Sequence, residues 1–177
     1  MERVKGRPIN IDNRLDKEMR CYDFLDQLGV KYERIDHQAV MTIDACQEID
    51  QVLQAMICKN LFLSDRKSRN FYLLMVSGEK KVDIRNLSSQ LGVSRLHFAK
   101  EEYMKRYLDI TPGSVSVLGL MNDKEKKVQL LIDKDLLEAD FFGCHPCINT
   151  TSLRIKTEDL IQKIIPGMNH DVIYVDI

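Results

Sequence analysis

Apolar residues near the start of the chain recur at helical spacing. Intervals of three or four positions, typical of one buried helix face, separate Leu15, Met19, Tyr22, Leu25 and Leu28. Asp12 or Asn13 can cap the first turn of this run, and Gly29 can adopt the left-handed conformation after the last turn. The pattern therefore predicts a helix over residues 15–28.

Two continuous apolar runs, at residues 57–63 and 71–76, predict a pair of buried strands. Each run has the length of a strand, and the polar segment SDRKSRN that separates them is typical of a turn. Neighbouring strands joined by a short turn pair in antiparallel fashion. We therefore predict a hairpin from these two runs.

Weaker patterns complete the prediction. Shorter apolar segments predict strands near 30–35, 96–98, 128–132, 141, 153 and 172–175. Capping residues and helical spacing predict helices that start at 43, 84, 101, 134 and 157. The proposed caps are Thr42, Asp83 and Thr157. The apolar stretch Val115–Leu120, followed by a turn at 122–123, predicts a second hairpin with the strand at 128–132.

Strands joined by tight turns and interrupted by short helices, without regular alternation, favour an α+β fold. We predict a mixed, mainly antiparallel sheet with flanking helices. The 177 residues suit one domain, so we predict an N-terminal extension over 1–13 and a single domain over 14–177.

Charge and composition exclude several classes of protein. The 26 Lys and Arg balance 27 Asp and Glu, which argues against binding nucleic acid through bulk positive charge. The apolar runs are far shorter than the roughly 20 residues of a membrane-spanning helix. The polar N-terminus lacks the apolar core of a secretory signal, so we expect a cytoplasmic protein. Its five irregularly placed cysteines are then expected to stay reduced.

Lys59 is the charge least expected from its surroundings. It lies within the apolar segment ICKNLFL, where burying an ammonium is costly unless it is paired or opens into a cleft. Regular strand alternation could instead direct Lys59 to water and Asn60 to the opposite face. The residues alone leave both possibilities open.

Two further segments carry candidate chemistry. Gly113-Ser114-Val115-Ser116, with Gly119 nearby, could bring backbone N–H groups close to a ligand oxygen, or form only a turn. The tetrapeptide 144–147, Cys-His-Pro-Cys, could bind zinc or form a redox pair. A second cysteine pair is missing and its context predicts a loop, so we predict no metal site and no cofactor. A zinc or redox protein remains an alternative.

Several short segments occur in an order that is informative as a set. They are HQAVMT at 37–42, KNLFL at 59–63, the strand at Tyr72, PGSVS at 112–116, GL at 119–120 with ND at 122–123, and HP at 145–146 with NT at 149–150. This order resembles the prolyl-tRNA synthetase-associated, YbaK-like editing domains, specifically their freestanding PrdX or ProX branch. The resemblance extends from about Arg14 to the C-terminus.

The resemblance implies an aminoacyl-tRNA deacylase that acts in trans on mischarged tRNA, with alanyl-tRNA for proline as the usual substrate of this branch. It assigns catalytic roles to Lys59, which would contact the terminal adenosine or scissile ester, and to His145 in a late loop. The predicted substrate-binding residues are Asn60, Gly113, Ser114, Val115, Ser116 and Gly119. The predicted partners are the acceptor end of mischarged tRNA and, as a second candidate, prolyl-tRNA synthetase, with no membrane and no DNA.

An editing site also has a physical rationale. A proline pocket cannot strongly reject the smaller alanine, because each missing methylene changes binding by only about 1–3 kcal/mol, so a second, smaller sieve is useful. Candidate apolar lining residues are Val40, Met41, Leu118 or Leu120. We hypothesise that water attacks the ester while Lys59 and backbone N–H groups of residues 113–116 stabilise the oxyanion. By resemblance, the terminal ribose hydroxyl of the tRNA assists.

The sequence departs from the family at Val117, where related sequences commonly have proline in the order Ser-Pro-Phe-Gly. The replacement of proline by Val117 bears more on the expected preference for alanine than on the expected deacylase chemistry. A cysteinyl-tRNA deacylase and a noncatalytic module that binds aminoacyl-tRNA or a synthetase are therefore retained as alternatives. Basic turns at 66–69, 80–81 and 124–127 could form a rim for RNA or could be solvated hairpin turns.

Overall fold

The fold is described by a computed structural model for residues 2–39 and 43–177. The strands are β1 Val4–Lys5, β2 Tyr32–Asp36, β3 Met56–Ser64, β4 Phe71–Ser77, β5 His97–Phe98, β6 Val128–Asp133, β7 Phe141–Cys144, β8 Thr151–Lys156 and β9 Val172–Val175. The α-helices begin with α1 Asp16–Gln27, α2 Ile43–Leu53 and α3 Ile84–Gln90. Helix α4 comprises Glu101–Tyr103 and a π-helical continuation over Met104–Leu108. Helix α5 comprises Thr157–Asp159, Leu160–Ile164 and Ile165–Gly167, and short 3-10 helices cover Val117–Asn122 and Lys134–Glu138.

The strands form one mixed sheet in which antiparallel pairings predominate. Their order is β1-β2-β8-β7-β3-β4-β6-β9, with β5 also paired to β3. The parallel pairings are β3 with β7, β4 with β6, and β6 with β9. The predicted α+β class is therefore confirmed, as is the hairpin formed by β3 and β4.

The central strands are buried on both faces. Along β4, Leu73 and Met75 pack into the larger apolar cluster, which also contains Tyr22 of α1. Leu74 and Val76 alternate with them and belong to a smaller cluster on the other side, which contains Leu87 of α3. This alternation follows from the two-residue period of a strand. Among the described residues, no helix is both long and apolar enough to span a membrane.

The predicted second hairpin is wrong. Much of the stretch 115–120 forms the 3-10 helix Val117–Asn122, and β6 pairs with β4 and β9 instead. The Ser116 hydroxyl accepts a hydrogen bond from the backbone N–H of Leu118 at 3.2 Å, which caps this helix. The helix also packs closely on residues before it, since a Cβ added to Gly119 would lie 3.2 Å from the Leu108 carbonyl oxygen. Its apolar residues are buried all round, so their pattern resembles that of a buried strand.

The predicted helix caps have mixed outcomes. Asp83 caps α3, because its carboxylate accepts hydrogen bonds from two backbone N–H groups in the first turn. The predicted cap at Asp12 or Asn13 is wrong, since α1 begins at Asp16 without a side-chain cap. Thr157 is also wrong as a cap, and its buried hydroxyl has no hydrogen-bond partner within the described ranges. The predicted cap Thr42 lies outside the described residues.

Candidate functional site

The predicted catalytic residues lie where β3 and β7 diverge. These strands run parallel, and their second paired position joins Ile57 of β3 to Gly143 of β7. Two residues further along each chain are Lys59 and His145. The strand register therefore brings the two residues level with each other, beyond the last pair that holds the strands together.

The glycine-rich stretch packs against the segment that carries His145. Gly113 has a φ of 86°, and the nearest atom to a Cβ built on it would be the amide nitrogen of Asn149, at 3.8 Å. The Ser116 hydroxyl is close enough to the thiol of Cys144, the residue before His145, to oppose the rise in its pKa that burial causes. Residues 113–116 thus lie near the chain on both sides of His145.

Lys59 is half-buried, and its ammonium faces backbone oxygens rather than open water. It donates hydrogen bonds to the carbonyls of Gly78 and Lys80, in the loop that follows β4. These carbonyls carry no net charge. Within the described residues the ammonium has no carboxylate partner, so its positive charge is not neutralised. An ammonium without a carboxylate partner is able to pair with a negative ligand group.

Asn60 projects from the opposite face of β3, as regular alternation predicts. Its neighbours on that face, Cys58 and Phe62, belong to the larger apolar cluster, whereas Leu61 packs on the smaller one. The side-chain oxygen of Asn60 is buried and has no hydrogen-bond donor within residues 2–39 and 43–177. A buried acceptor without a donor costs about 1–3 kcal/mol, so this oxygen can gain from a ligand donor.

His145 is held in one tautomer. Its Nδ1 lies 2.8 Å from the carbonyl oxygen of Thr151, which can only accept a hydrogen bond. Nδ1 therefore carries the proton, and Nε2 is left as an acceptor. Burial lowers the pKa of His145 from its ordinary value of 6.5, and the neighbouring His37 lowers it further, against an opposing effect of the Thr151 carbonyl. The ring is accordingly neutral at neutral pH.

A charged network behind His145 was not predicted from the sequence. Thr151, whose carbonyl orients His145, donates its hydroxyl to Asp36 at 3.0 Å. Arg14 binds the same carboxylate at 2.8 Å and also binds the buried Glu18 at 2.6 Å. Burial alone would raise the pKa of Asp36, but hydrogen bonds from Arg14, Arg34 and Thr151 lower it to about 2. The network fixes the start of β8 and hence the backbone oxygen that holds His145.

We expect part of the folding stability to depend on this network at acid pH. The folded-state pKa of Asp36 lies below the ordinary value of 3.8, so its contribution is present above about pH 4 and is lost as the pH falls towards 2. Asp36→Asn removes that titration. The free energy of unfolding in urea, measured at about pH 5 and about pH 2.5, should therefore change less in the variant than in the wild type. An identical change in both proteins would contradict the assignment.

The remaining predicted residues are mostly buried. Ser114 and Ser116 are 4% and 0% exposed, while Gly113 lies at the surface. Gly119 is enclosed by Leu108 and Ile110, a packing contact that requires glycine without any ligand. The proposed lining residues Leu118 and Leu120 belong to the main apolar cluster, whereas Val40 and Met41 lie outside the described residues.

The two thiols of the Cys-His-Pro-Cys segment, those of Cys144 and Cys147, have different neighbours. The Sγ of Cys147 lies 3.5 Å from that of Cys21 in α1, and both side chains are fully buried. Burial raises the pKa of the Cys144 thiol above its usual range. The segment forms a loop between β7 and β8, as its composition predicts, and not the start of a helix. Neither thiol has the partly exposed, electropositive setting of a reactive cysteine.

Comparisons with known proteins agree with this arrangement. Residues 37–163 match the model of the aminoacyl-tRNA editing domain. The chain is 36% identical over 151 residues to the prolyl-tRNA editing protein ProX of Acetoanaerobium sticklandii, which covers 85% of this chain and 92% of that protein. It is 31% identical to prolyl-tRNA synthetase associated domain-containing protein 1 of Danio rerio, over 84% of this chain and 81% of that protein.

The fold is also found in solved structures. The crystal structure of a candidate trans-editing enzyme for prolyl tRNA synthetase superposes with a TM-score of 0.68. The match covers 92% of this chain and 98% of that one at 17% identity, so it supports the fold alone. Together with the family model and the relatives, it confirms the resemblance predicted from the ordered segments. The chain belongs to the aminoacyl-tRNA editing domain family.

Proposed function

We propose that this protein edits mischarged prolyl-tRNA in trans, by hydrolysing the ester between the wrong amino acid and the terminal ribose. The observation that supports the proposal is the strand register that brings Lys59 level with His145, with residues 113–116 close to the chain around His145, in a chain of the editing family. The relative named as a prolyl-tRNA editing protein supports proline tRNA as the substrate class.

The residues supply positive charge and hydrogen-bond donors without a protein nucleophile. Attack of water on the ester carbonyl places negative charge on its oxygen, and collapse of this intermediate transfers a proton to the departing ribose oxygen. Lys59 supplies an unneutralised ammonium for that charge. The backbone N–H groups of Val115 and Ser116 have no acceptor within the described part of the chain and provide further donors.

His145 positions the reacting groups through its free Nε2. Because Nδ1 is committed to Thr151, Nε2 can accept a hydrogen bond from the attacking water or from a ribose hydroxyl. The buried oxygen of Asn60, on the opposite face of β3, also lacks a hydrogen-bond donor within the described residues. A vicinal ribose hydroxyl that assists the attack removes the need for a carboxylate base.

We propose alanine as the amino acid removed, with cysteine as the alternative. The test is a panel of proline tRNA transcripts charged with alanine, cysteine or proline, and the measured quantity is the rate of amino-acid release under single-turnover conditions. We expect alanine to be released at least about tenfold faster than cysteine, and proline to be retained because the site excludes a larger side chain. Faster release of cysteine would overturn the choice of alanine. Binding without any release would favour the noncatalytic module.

A further inference from the structure

Two of the three basic turns lie side by side at one end of the sheet. The turn 65–70 precedes β4 and the turn 123–127 precedes β6, and these strands pair in parallel with Phe71 opposite Val128. A cleft of about 450 Å³ is bordered by both turns, through Asn70 on one side and Lys126 and Lys127 on the other. We call the exposed cations of these turns the basic edge: Arg66, Lys67, Arg69, Lys124, Lys126 and Lys127.

Both turns are built in the same way around an aspartate. The carboxylate of Asp65 accepts the backbone N–H of Arg69 at 2.9 Å, four residues later. The carboxylate of Asp123 likewise accepts the backbone N–H of Lys127 at 3.0 Å, and it also contacts His170. These two acidic groups are occupied by their own turns. They order the loops without neutralising the neighbouring basic side chains.

The basic edge is consequently an unneutralised positive surface. Six cations against Asp65, Asp123 and Glu125 give the two turns a net charge of +3, whereas the whole chain carries −1. None of the six cations forms an ion pair with a residue in the described ranges. In the third basic turn, by contrast, Lys80 is paired with Asp133 and Asp135 at 2.6 Å each.

An exposed aromatic side chain borders the basic edge. Strand β5 pairs with the end of β3, where Phe98 lies opposite Leu63, next to the turn 65–70. The Phe98 residue is 65% exposed although it is apolar. Cations beside a solvent-exposed ring are typical of surfaces that contact the phosphates and stack on the bases of RNA.

We propose that the basic edge binds the phosphate backbone of the tRNA acceptor arm, with Phe98 stacking on an unpaired base. This rests on the proposed function, because the RNA is the substrate whose ester reaches Lys59. Ser64 lies five positions beyond Lys59 along β3, a distance of roughly 17 Å in an extended strand. The basic edge can therefore meet the RNA several nucleotides away from the esterified end while that end lies between β3 and β7.

The test measures binding of uncharged proline tRNA by fluorescence anisotropy over a range of KCl concentrations. One variant neutralises the first turn as Arg66→Gln, Lys67→Gln and Arg69→Gln, and another neutralises Lys124→Gln and Lys127→Gln. The control removes three exposed lysines elsewhere, as Lys5→Gln, Lys31→Gln and Lys156→Gln. We expect the first variant to weaken binding about tenfold or more and to reduce the salt slope of log Kd by about 2. The second variant should also weaken tRNA binding and reduce the salt slope, and the control variant should match the wild type in both quantities.

Phe98→Ala separates stacking from charge. Its loss should weaken tRNA binding about fivefold or more while leaving the salt slope unchanged, because no phosphate contact is removed. A wild-type salt slope in both turn variants would overturn the proposal, and so would a reduced slope in the control variant alone. If the two turn variants keep their affinity for tRNA but lose binding to vesicles of anionic phospholipid, the basic edge binds a membrane surface instead of RNA.

Failure of this proposal is distinguishable from failure of the proposed function. Uncharged tRNA carries no ester, so its binding reports on the basic edge whether or not hydrolysis occurs. If the wild-type protein releases alanine but the two turn variants keep the wild-type salt slope of tRNA binding, the basic edge alone is refuted. A protein that binds tRNA through the basic edge but releases no amino acid would refute the deacylase alone.

Discussion

Lys59→Met is expected to slow the release of alanine from alanyl-tRNA for proline by about 100-fold or more, since one charged donor to the oxyanion is lost. Methionine keeps the apolar stem of the side chain, so the strand packing is preserved. Single-turnover release of labelled alanine measures the effect. Lys81→Met is the matched control, because this exposed lysine lies in the loop after β4, beyond the strand register that aligns Lys59 with His145.

The loop contacts of Lys59 need a separate readout. The ammonium binds the carbonyls of Gly78 and Lys80, so its loss also removes two contacts of that loop. Thermal unfolding and binding of uncharged tRNA are therefore measured for the same variant. Normal binding with slow release places the effect at the ester. Undiminished release by Lys59→Met would refute the assigned role of the ammonium.

His145→Ala should slow release by about 10- to 100-fold and change its dependence on pH. The wild-type pKa of His145 lies below 6.5, so the ring is neutral above that range and the rate should fall only as the pH drops through the lowered pKa. The variant should lack this acid limb. The measurement is the single-turnover rate between about pH 5 and about pH 8.

His145→Asn provides the matched comparison. The asparagine side-chain amide nitrogen takes the place of Nδ1 and can donate to the Thr151 carbonyl, but it does not titrate in this range. We expect partial recovery of the rate relative to alanine, without the acid limb. An acid limb that persists in both variants would show that another group is responsible and would remove His145 from the reaction.

Local patterns were sufficient to predict most elements of the fold. Helix α1 and the β3–β4 hairpin have strong periodicity or long apolar runs with clear turn signals between them. The incorrect prediction of a hairpin strand at residues 115–120 has its cause in tertiary packing. That segment is apolar on all sides because Gly119 packs directly on Leu108 and Ile110, a contact that its own sequence does not specify.

The candidate site was likewise only partly predictable from the sequence. Lys59 stood out because a cation within an apolar run is unusual, and resemblance supplied His145 and the glycine-rich stretch. The network that orients His145 could not be inferred from local pattern. Asp36 and Thr151 are 115 positions apart, and Arg14 reaches Asp36 across 22 positions, so only the pairing of β2 with β8 brings them together. The adjacency of the two basic turns likewise depends on the parallel pairing of β4 with β6.

The central claim is that this chain hydrolyses the ester of a wrongly charged proline tRNA. Its most direct test is the release of alanine from alanyl-tRNA for proline by excess purified wild-type protein, compared with spontaneous hydrolysis in buffer alone. We predict release at least about 100-fold faster than in buffer, dependent on Lys59. Release at the spontaneous rate, from a folded protein that binds the uncharged tRNA, would contradict it.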